Sequence, residues 1–408
     1  MIKPTISSFC LFSLASAGNQ HVLGWDVFGA MSYGPPSFDS LIGWESPIES
    51  VSDSKCRALH NGSDFVRVYS SPEFAHGRGI SIVTTAEDMA QIQELPAFSK
   101  RDIYTKYNIN KQVAQPFEER ELPGRGKGLI ANKTLHRGDR IFAHTPILIF
   151  HEDASATLDE DYWADVESCA VGTLPPTSNK LFWQLFGQPS HGPAGGRINT
   201  NAFAIDIEDT EHYAVFPEIA RLNHDCRPNA AYFFDEDTLT HYVHAITDIA
   251  IGTELTITYI DPHLPRKQRQ EALSSTWGFT CSCSLCTADR RLARLSDSRL
   301  AQIEEITGYF EEDEIGSSDM ALALLQLYEQ ERLYAPMGEA HMHAARAFCA
   351  EGNRWRAISH ARLAVEIGSL DNGFHDEDVL MMKRLAKAPE KQECWPRKIA
   401  SKAKQEDK

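Results

Sequence analysis

Apolar and polar positions change their spacing three times along the chain. Up to about residue 150, short alternating or continuous apolar runs separated by glycine turns predict β-strands. We place these strands, some with the turn before them, at residues 65–69, 76–83, 124–131, 136–143 and 146–150. Between them, residues 86–95 have helical spacing with Glu87 and Asp88 in the first turn, which favours a helix start.

Residues 151–200 have a different character. Asp153 to Cys169 is acidic and predicts a helix, and Leu181-Phe182-Trp183 predicts the beginning of a second apolar helix or turn. Residues 188–196 are rich in Pro and Gly and predict a loop. Strands are predicted again at residues 203–207, 230–234 and 239–246.

After Cys286 the apolar residues follow the helical period. The predicted helices are residues 291–310, 320–334, 340–350 and 355–367. Residues 352–358 resemble the inter-helix turn of a tetratricopeptide unit, but one unit is too few for an array, so we expect a small helical domain. The lysine-rich tail from Lys383 is predicted to fray.

The charge of the chain bears on its partners. The formal net charge is −17 over 408 residues. This balance argues against a nucleic-acid-binding protein, because phosphates repel it, and it is compatible with a basic protein partner. No segment reaches the length and apolarity of a membrane span.

Two signals about the cellular compartment disagree. Residues 1–17 combine a positive start, an apolar run and Ala15-Ser16-Ala17, which is typical of a secretory signal peptide; a frayed apolar leader is the alternative. The chain has nine cysteines, and five of them are scattered without metal spacing. We interpret those five as mostly free thiols, which suit a reducing compartment.

The other four cysteines predict a metal site. Cys281, Cys283 and Cys286 have the spacing C-x-C-x-x-C, and Cys226 lies upstream. Four thiolates are the ligand set of tetrahedral Zn²⁺, and with no open position the ion is structural. Buried cysteine packing is the alternative interpretation.

Three ordered motifs carry a family resemblance. Residues 223–229 read N-H-x-C-x-P-N, residues 254–260 read E-L-x-I-x-Y-I, and residues 277–286 read W-G-F-x-C-x-C-x-x-C. Together they resemble the signature of the SET-domain protein-lysine methyltransferases. The insert at 151–200 and the helical C-terminus are most similar to the SET-and-MYND branch and its fungal SET-only relatives, although the sequence lacks the MYND finger.

The resemblance implies an architecture. We expect a mainly β SET fold of small, pseudo-knotted sheets with a helical insert, a zinc-binding post-SET loop and a small all-α C-terminal domain, α+β overall. The expected divisions are a signal peptide at 1–17, an N-terminal extension at 18–112, the SET domain at 113–262 with its insert at about 151–200, the post-SET segment at 263–288 and the helical region at 289–408.

The resemblance also implies a cofactor site for S-adenosylmethionine. The G-x-G-x-G turn at residues 124–128 would approach the cofactor, with Gly126 and Gly128 at the turn and Arg125 and Lys127 near its carboxylate. Taken alone, such a turn is more often an ordinary hairpin. Asn223 and His224 would form the adenosine side of the pocket. Asn201, at the start of a predicted strand, is a further contact or else a turn residue.

For catalysis the resemblance indicates Tyr259. Methyl transfer to a lysine amine needs alignment and a neutral amine more than acid–base help. A phenol near the methyl group can orient the amine, whereas the alternative is a core tyrosine. Phe279 would line the lysine channel with Trp277 in support, since aromatic walls favour an approaching ammonium group.

The sequence therefore predicts an S-adenosylmethionine-dependent protein-lysine methyltransferase with one structural zinc ion. Its partner would be a protein with an accessible lysine, such as a histone or another basic protein. A catalytically silent SET-fold binding module is the main rival, and a secreted protein that kept the fold without its substrate is another. Tyr259 and the complete glycine turn favour the enzyme. SET chemistry on histones implies the nucleus or cytoplasm, so the compartment stays open.

Overall fold

The computed structural model describes residues 49–50, 66–100, 102–111, 115–155, 160–312 and 315–396 of the chain. The predicted signal peptide at 1–17 lies outside these residues, as do Cys10 and Cys56.

The described strands form three sheets. They are β1 (Glu49–Ser50), β2 (Arg67–Ser71), β3 (Ile80–Thr84), β4 (Phe117–Leu122), β5 (Gly126–Ala131), β6 (Arg140–His144), β7 (Leu148–His151), β8 (Ala202–Ile207), β9 (Thr210–Val215), β10 (Asn223–His224), β11 (Ala230–Asp235), β12 (Thr240–Ala245) and β13 (Glu254–Ile257). The strand orders are β1-β2-β3-β7-β9-β8, β10-β13-β5-β4 and β11-β12-β6. The strands predicted from the apolar pattern are present in the described residues, with ends shifted by a few positions.

The largest sheet includes the chain before residue 113. Strand β3 is buried along its whole length and pairs in parallel with β7, with Ser81 opposite Leu148. Strand β2 continues the sheet by antiparallel pairing with β3. Residues 67–84, which we expected in an N-terminal extension, thus share a sheet with the strands that follow.

The helices are mostly short before residue 266 and longer after it. They are α1 (Phe74–Gly77), α2 (Ala86–Ile92), α3 (Pro96–Ser99), α4 (Ile103–Lys106), α5 (Glu160–Gly172), α6 (Pro176–Trp183), α7 (Gly195–Asn201), α8 (Arg266–Thr276), α9 (Arg290–Glu312), α10 (Ser318–Glu331), α11 (Met337–Ala350), α12 (Arg354–Asp371) and α13 (Glu377–Lys387).

The insert is helical and covers the six-stranded sheet. Val166 and Phe182, from α5 and α6, are buried in one cluster with Val83 and Phe150 of the sheet. The segment Leu181-Phe182-Trp183 ends α6 instead of beginning a helix. The helix begins earlier because the preceding prolines lie at its N-terminus, where proline is favoured.

The C-terminal region is built on its own apolar core, to which α9 through α13 all contribute. The prediction that the tail frays from Lys383 is wrong as far as Lys387, where α13 ends. Val379, Met382 and Leu385 recur at helical spacing and are buried in this core, so they hold α13 in place.

The expectation that the scattered cysteines are mostly free is wrong for the described ones. Cys349 and Cys394 form a disulfide with a Cα–Cα distance of 5.6 Å, and Cys169 is also disulfide-bonded. The chain returns after α13 to the end of α11, and this contact between distant segments has no signature in cysteine spacing. In the described part of the chain, no helix combines the length and apolarity needed to cross a membrane.

Candidate functional site

Strand pairing brings the first two motifs together. The short strand β10 runs parallel to β13, so Asn223 lies opposite Thr256 and His224 opposite Ile257. Asn229 fixes this register, because its side chain accepts from the Thr256 N–H at 2.9 Å and donates to the Glu254 carbonyl at 2.8 Å. Two motifs that are far apart in sequence thus lie side by side on neighbouring strands.

The glycine turn joins the same sheet through β5. Gly126 has φ +66°, a conformation that favours glycine. A Cβ at Gly128 would lie 2.5 Å from Leu122 Cδ1 and 2.8 Å from both Asn223 Nδ2 and Glu254 Oε1. The turn therefore approaches the Asn223 strand so closely that a Cβ at residue 128 would displace the ends of these three side chains.

Arg125 faces the motif strands, whereas Lys127 does not. Arg125 Nη2 donates to the His224 carbonyl at 2.9 Å and lies 3.3 Å from Glu254 Oε2. Its buried Nε has no hydrogen-bond partner among the described residues. Lys127 Nζ contacts Glu119 Oε1 at 2.6 Å on the exposed face of the hairpin. A buried guanidinium N–H without a partner is suited to an anionic group.

Asn223 and His224 occupy the centre of the site. Asn223 Nδ2 donates to Glu254 Oε1 at 2.8 Å and to the Lys127 carbonyl at 3.1 Å. His224 is buried, and burial lowers its pKa to about 4, so the imidazole is neutral near pH 7. Its Nδ1 accepts from the Tyr259 N–H at 3.1 Å, which leaves the proton on Nε2, 3.3 Å from Cys226 Sγ.

Tyr259 lies where the motifs meet. Its hydroxyl donates to the Leu222 carbonyl at 2.6 Å. Its ring centroid is 5.5 Å from that of His224 and 5.4 Å from that of Trp277. The Phe279 ring centroid is 6.2 Å from that of His224. Burial raises the pKa of the Tyr259 phenol above its ordinary value, so it keeps its proton at neutral pH.

Two aromatic residues that sequence reasoning did not assign lie beside this group. Phe203 and Tyr232 are half-buried against the same core as Tyr259, and their ring centroids are 5.3 Å apart. The Tyr232 phenol is near enough to Tyr259 to affect its titration. Phe203 follows Asn201 by two residues, so the strand entry that indicated Asn201 also contained Phe203.

Asn201 lies at the strand entry where it was expected. It is the last residue of α7 and directly precedes β8, which begins at Ala202. Its side-chain amide donates to the carbonyls of Phe186 and Arg197, each at 2.7 Å. These bonds hold the loop after α6 against the end of α7.

The four predicted metal ligands converge. Their sulfur atoms all lie within 4.8 Å of one another, and all four cysteines are buried. Cys226 Sγ is 3.5 Å from Cys286 Sγ and 3.9 Å from Cys281 Sγ. Tetrahedral Zn²⁺ with bonds of about 2.3 Å places its sulfurs about 3.8 Å apart, so the four thiols fit one zinc ion.

Hydrogen bonds to sulfur further prepare this cluster for a metal. The Cys283 N–H donates to Cys281 Sγ at 3.5 Å, and the Cys286 N–H donates to Cys283 Sγ at 3.4 Å. Hydrogen bonding from Cys226 lowers the pKa of the Cys283 thiol. Such bonds stabilise thiolates, which are the form that binds zinc.

Comparisons with known proteins identify this arrangement. Residues 126–260 match the SET domain. The chain is 32% identical over 198 residues to histone-lysine N-methyltransferase set5 of Schizosaccharomyces pombe, covering 48% of this chain and 58% of that protein. It is 34% identical over 108 residues to human N-lysine methyltransferase SMYD2, covering 26% of this chain and 24% of that protein. The chicken SMYD2 is 37% identical over 93 residues, or 22% of this chain and 21% of the relative.

The chain therefore contains a SET domain, and its fold is α+β overall, as the three motifs predicted. It is similar both to a fungal SET protein and to SMYD2 proteins. The matched regions span 58% of set5 and about a quarter of SMYD2.

Proposed function

We propose that the chain is an S-adenosylmethionine-dependent protein-lysine methyltransferase. The observation that carries the proposal is the meeting of Tyr259, His224 and the Gly128 turn within one small region, joined by hydrogen bonds and ring contacts. The cysteine cluster fits a structural zinc ion next to that region. The relatives that share the SET domain are named as lysine methyltransferases, which supports the same reaction class.

The cofactor would supply a methyl group carried on a sulfonium. Gly126, where a Cβ would meet no atom within 4 Å, would leave room for it, and Gly128 would let the turn approach Asn223. Arg125 would pair with its carboxylate through the free Nε, and Asn223 and His224 would form the adenosine side. Asn201 and Lys127, which have other partners, are weaker candidates for contacts.

Tyr259 would orient the substrate amine. Its hydroxyl hydrogen is donated to the Leu222 carbonyl, so its oxygen is left to accept an N–H from the incoming lysine. The lone pair of the amine can then point at the methyl carbon, which is the alignment that this displacement needs. Trp277 and Phe279 would exclude water and favour the uncharged amine, with Phe203 and Tyr232 on the other side of the channel.

The substrate would be a protein with an accessible lysine. The net charge of −17 is compatible with a basic partner such as a histone and unfavourable for nucleic acid.

Tyr259→Phe tests the role of the phenol. The change keeps the ring and should lower methyl transfer by about tenfold or more, the effect of about 1.4 kcal/mol of barrier, with cofactor affinity nearly unchanged. Tyr104→Phe is the matched control, because it deletes a hydroxyl that also donates to a backbone carbonyl at 2.6 Å, that of Ala97, away from the site. The measurement is radiolabelled methyl transfer to histones and to whole lysate, alongside calorimetric binding of S-adenosylmethionine.

Two results would count against the proposal. Equal turnover in Tyr259→Phe and Tyr104→Phe would make Tyr259 a core tyrosine. Cofactor binding by the wild type without turnover on any substrate would favour the silent binding module. Asn223→Ala should weaken cofactor binding by about 1–3 kcal/mol, the cost of a lost pocket hydrogen bond, and unchanged affinity would move the pocket elsewhere.

A further inference from the structure

The residue that follows the first cysteine ligand joins the SET domain to the helical region. Arg227 occupies a variable position of the N-H-x-C-x-P-N motif, yet its side chain is only 3% exposed. Arg227 Nη1 donates to the carbonyl of Cys226 at 2.6 Å and to that of Pro262 at 3.0 Å. One guanidinium thus joins the Cys226 backbone to the segment that follows Tyr259.

The other end of the same guanidinium contacts α10. Arg227 Nη2 donates to Glu331 Oε2 at 2.7 Å, and Nε donates to the Glu331 carbonyl at 2.5 Å. The Glu331 side chain is 1% exposed and is the last residue of the helix. A buried charged pair that is fully hydrogen-bonded fixes geometry more reliably than it adds stability.

Helix α9 completes the arrangement around Glu331. Ser296 Oγ donates to Glu331 Oε2 at 2.7 Å, and Arg299 Nε donates to Glu331 Oε1 at 2.6 Å. Nearby, Arg332 Nη2 donates to Ser284 Oγ within the cysteine loop at 3.1 Å. The helical region therefore holds both the Cys226 segment and the loop of Cys281 to Cys286.

We propose that the Arg227–Glu331 pair is a positioning device for the zinc centre, so that the helical C-terminal region is part of the site and not a separable domain. The inference rests on the zinc centre proposed above. The end of α10 sets where the Cys226 backbone lies, and through His224 it also sets the backbone at Tyr259. A partner that displaced α10 would therefore loosen the metal loop without contacting the cofactor pocket itself.

Arg227→Met is the primary test, made in the full-length zinc-loaded protein. Methionine keeps most of the apolar length of the side chain, and Glu331 retains Ser296 and Arg299, so the variant should fold. Release of zinc to a chromogenic chelator should be roughly 10- to 100-fold faster than in wild type, the effect typical of removing an outer partner of a metal ligand. Amide hydrogen exchange in residues 279–286 should rise in the same variant.

Arg137→Met is the matched control. Arg137 pairs with Glu366 of α12, so it also joins the SET domain to the helical region, but away from the cysteines. Its zinc release should equal that of wild type even if its melting temperature falls. If Arg227 contributed only to general stability, Arg227→Met and Arg137→Met would release zinc at the same rate when compared at equal folded fraction.

Glu331→Gln and the double variant sharpen the result. If the two residues act as one unit, the double variant should release zinc no faster than the faster single variant, because interacting residues are non-additive. Wild-type release in Arg227→Met with zinc bound would overturn the positioning role alone. Absence of zinc from folded wild-type protein would overturn it together with the zinc centre, and methyl transfer is not needed to distinguish the two results.

Discussion

The cysteine loop and the C-terminal helices are neighbours in the structure, but different interactions hold each of them. Around the four cysteines, Ile260 and Leu273 are buried in the same described cluster, and the other apolar side chains there are partly exposed: Tyr259, Ala272, Trp277, Phe279 and Leu285. The helical core draws buried side chains from five helices, among them Phe348 and Tyr328. A loop with so little apolar burial needs a metal or a neighbour to stay ordered, whereas the helices can supply their own core.

The comparison also shows where the backbone must be held in one exact position. In the helical core, apolar residues of about the right size suffice for packing. At the site, a single hydrogen bond from Tyr259 N–H to His224 Nδ1 and the missing Cβ of Gly128 each fix a backbone position. Stability and geometry are thus supplied by different parts of the chain and connected through Arg227 and Glu331.

Loss of the metal should give the largest difference between the two regions. Cys283→Ser removes one ligand with little change in volume, and structural zinc contributes on the order of 10 kcal/mol in small zinc modules. Amide protection in residues 223–226 and 279–286 should fall sharply, while α11 and α12 keep theirs. Hydrogen exchange with elemental analysis checks this. Equal loss of protection in the helices would mean that the two regions unfold as one unit.

Loss of the disulfide should destabilise the helical region and leave the cysteine loop unchanged. Replacing Cys349 and Cys394 by Ser should destabilise the helical region by about 2–4 kcal/mol, the usual effect of a disulfide that closes a loop of this size. Zinc content and zinc release should stay at wild-type values. A change in zinc binding would show that the disulfide, not the Arg227–Glu331 pair, carries the connection between the regions.

The two regions also differ in how far the sequence predicts them. Helices α9 to α12 followed from their 3.6-residue period, with ends within a few residues, whereas α13 was not predicted. Strands β2, β3, β5 to β8, β11 and β12 followed from apolar runs. The four cysteines were predicted as a set because metal geometry limits the spacing of ligands. The glycine turn and Tyr259 were placed by motif, and the structure brings them close together.

What the sequence did not reveal are contacts between distant segments. The Cys349–Cys394 bond depends on the path of the chain around α13. The pairing of Lys127 with Glu119 depends on which face of the hairpin a side chain takes, and a glycine-rich turn does not determine that. Asn201 lies at the end of a helix that begins with Gly195 and Gly196. Glycine has a low helix propensity, so the sequence did not indicate this helix. Arg227 is an ordinary loop arginine until the position of α10 is known.

A glycine-to-alanine substitution should have opposite effects on stability at the site and in the helical region. Gly128→Ala places a methyl group within 3 Å of Leu122, Asn223 and Glu254, and overpacking of this kind costs about 1–3 kcal/mol. Gly308→Ala, in α9, meets no atom within 4 Å and should stabilise by about 0.5–1 kcal/mol. Urea titration measures both, and calorimetry should show weaker cofactor binding only in Gly128→Ala. Tolerance of alanine at residue 128 would contradict the close approach.

Acid should have the smallest effect, through a buried histidine of the sheets. Burial lowers the pKa of His241 to about 3, and its ring contacts Phe203, Phe216, Tyr232 and Phe234. Because the unfolded chain binds a proton more readily than the folded one, stability falls as the pH drops below the ordinary value of 6.5 towards 3.

For His241 alone the loss between pH 6.5 and pH 5.5 is about 1 kcal/mol. His241→Phe keeps the ring and removes the titrating group, so the unfolding free energy of the variant should fall less over this interval by about that amount. His136→Gln, which removes an exposed histidine, is the control. Urea titrations at the two pH values decide the matter. An equal pH dependence in wild type and His241→Phe would mean that the His241 ring is accessible to protons in the folded state, and that the sheet core is less tightly closed than its aromatic packing indicates.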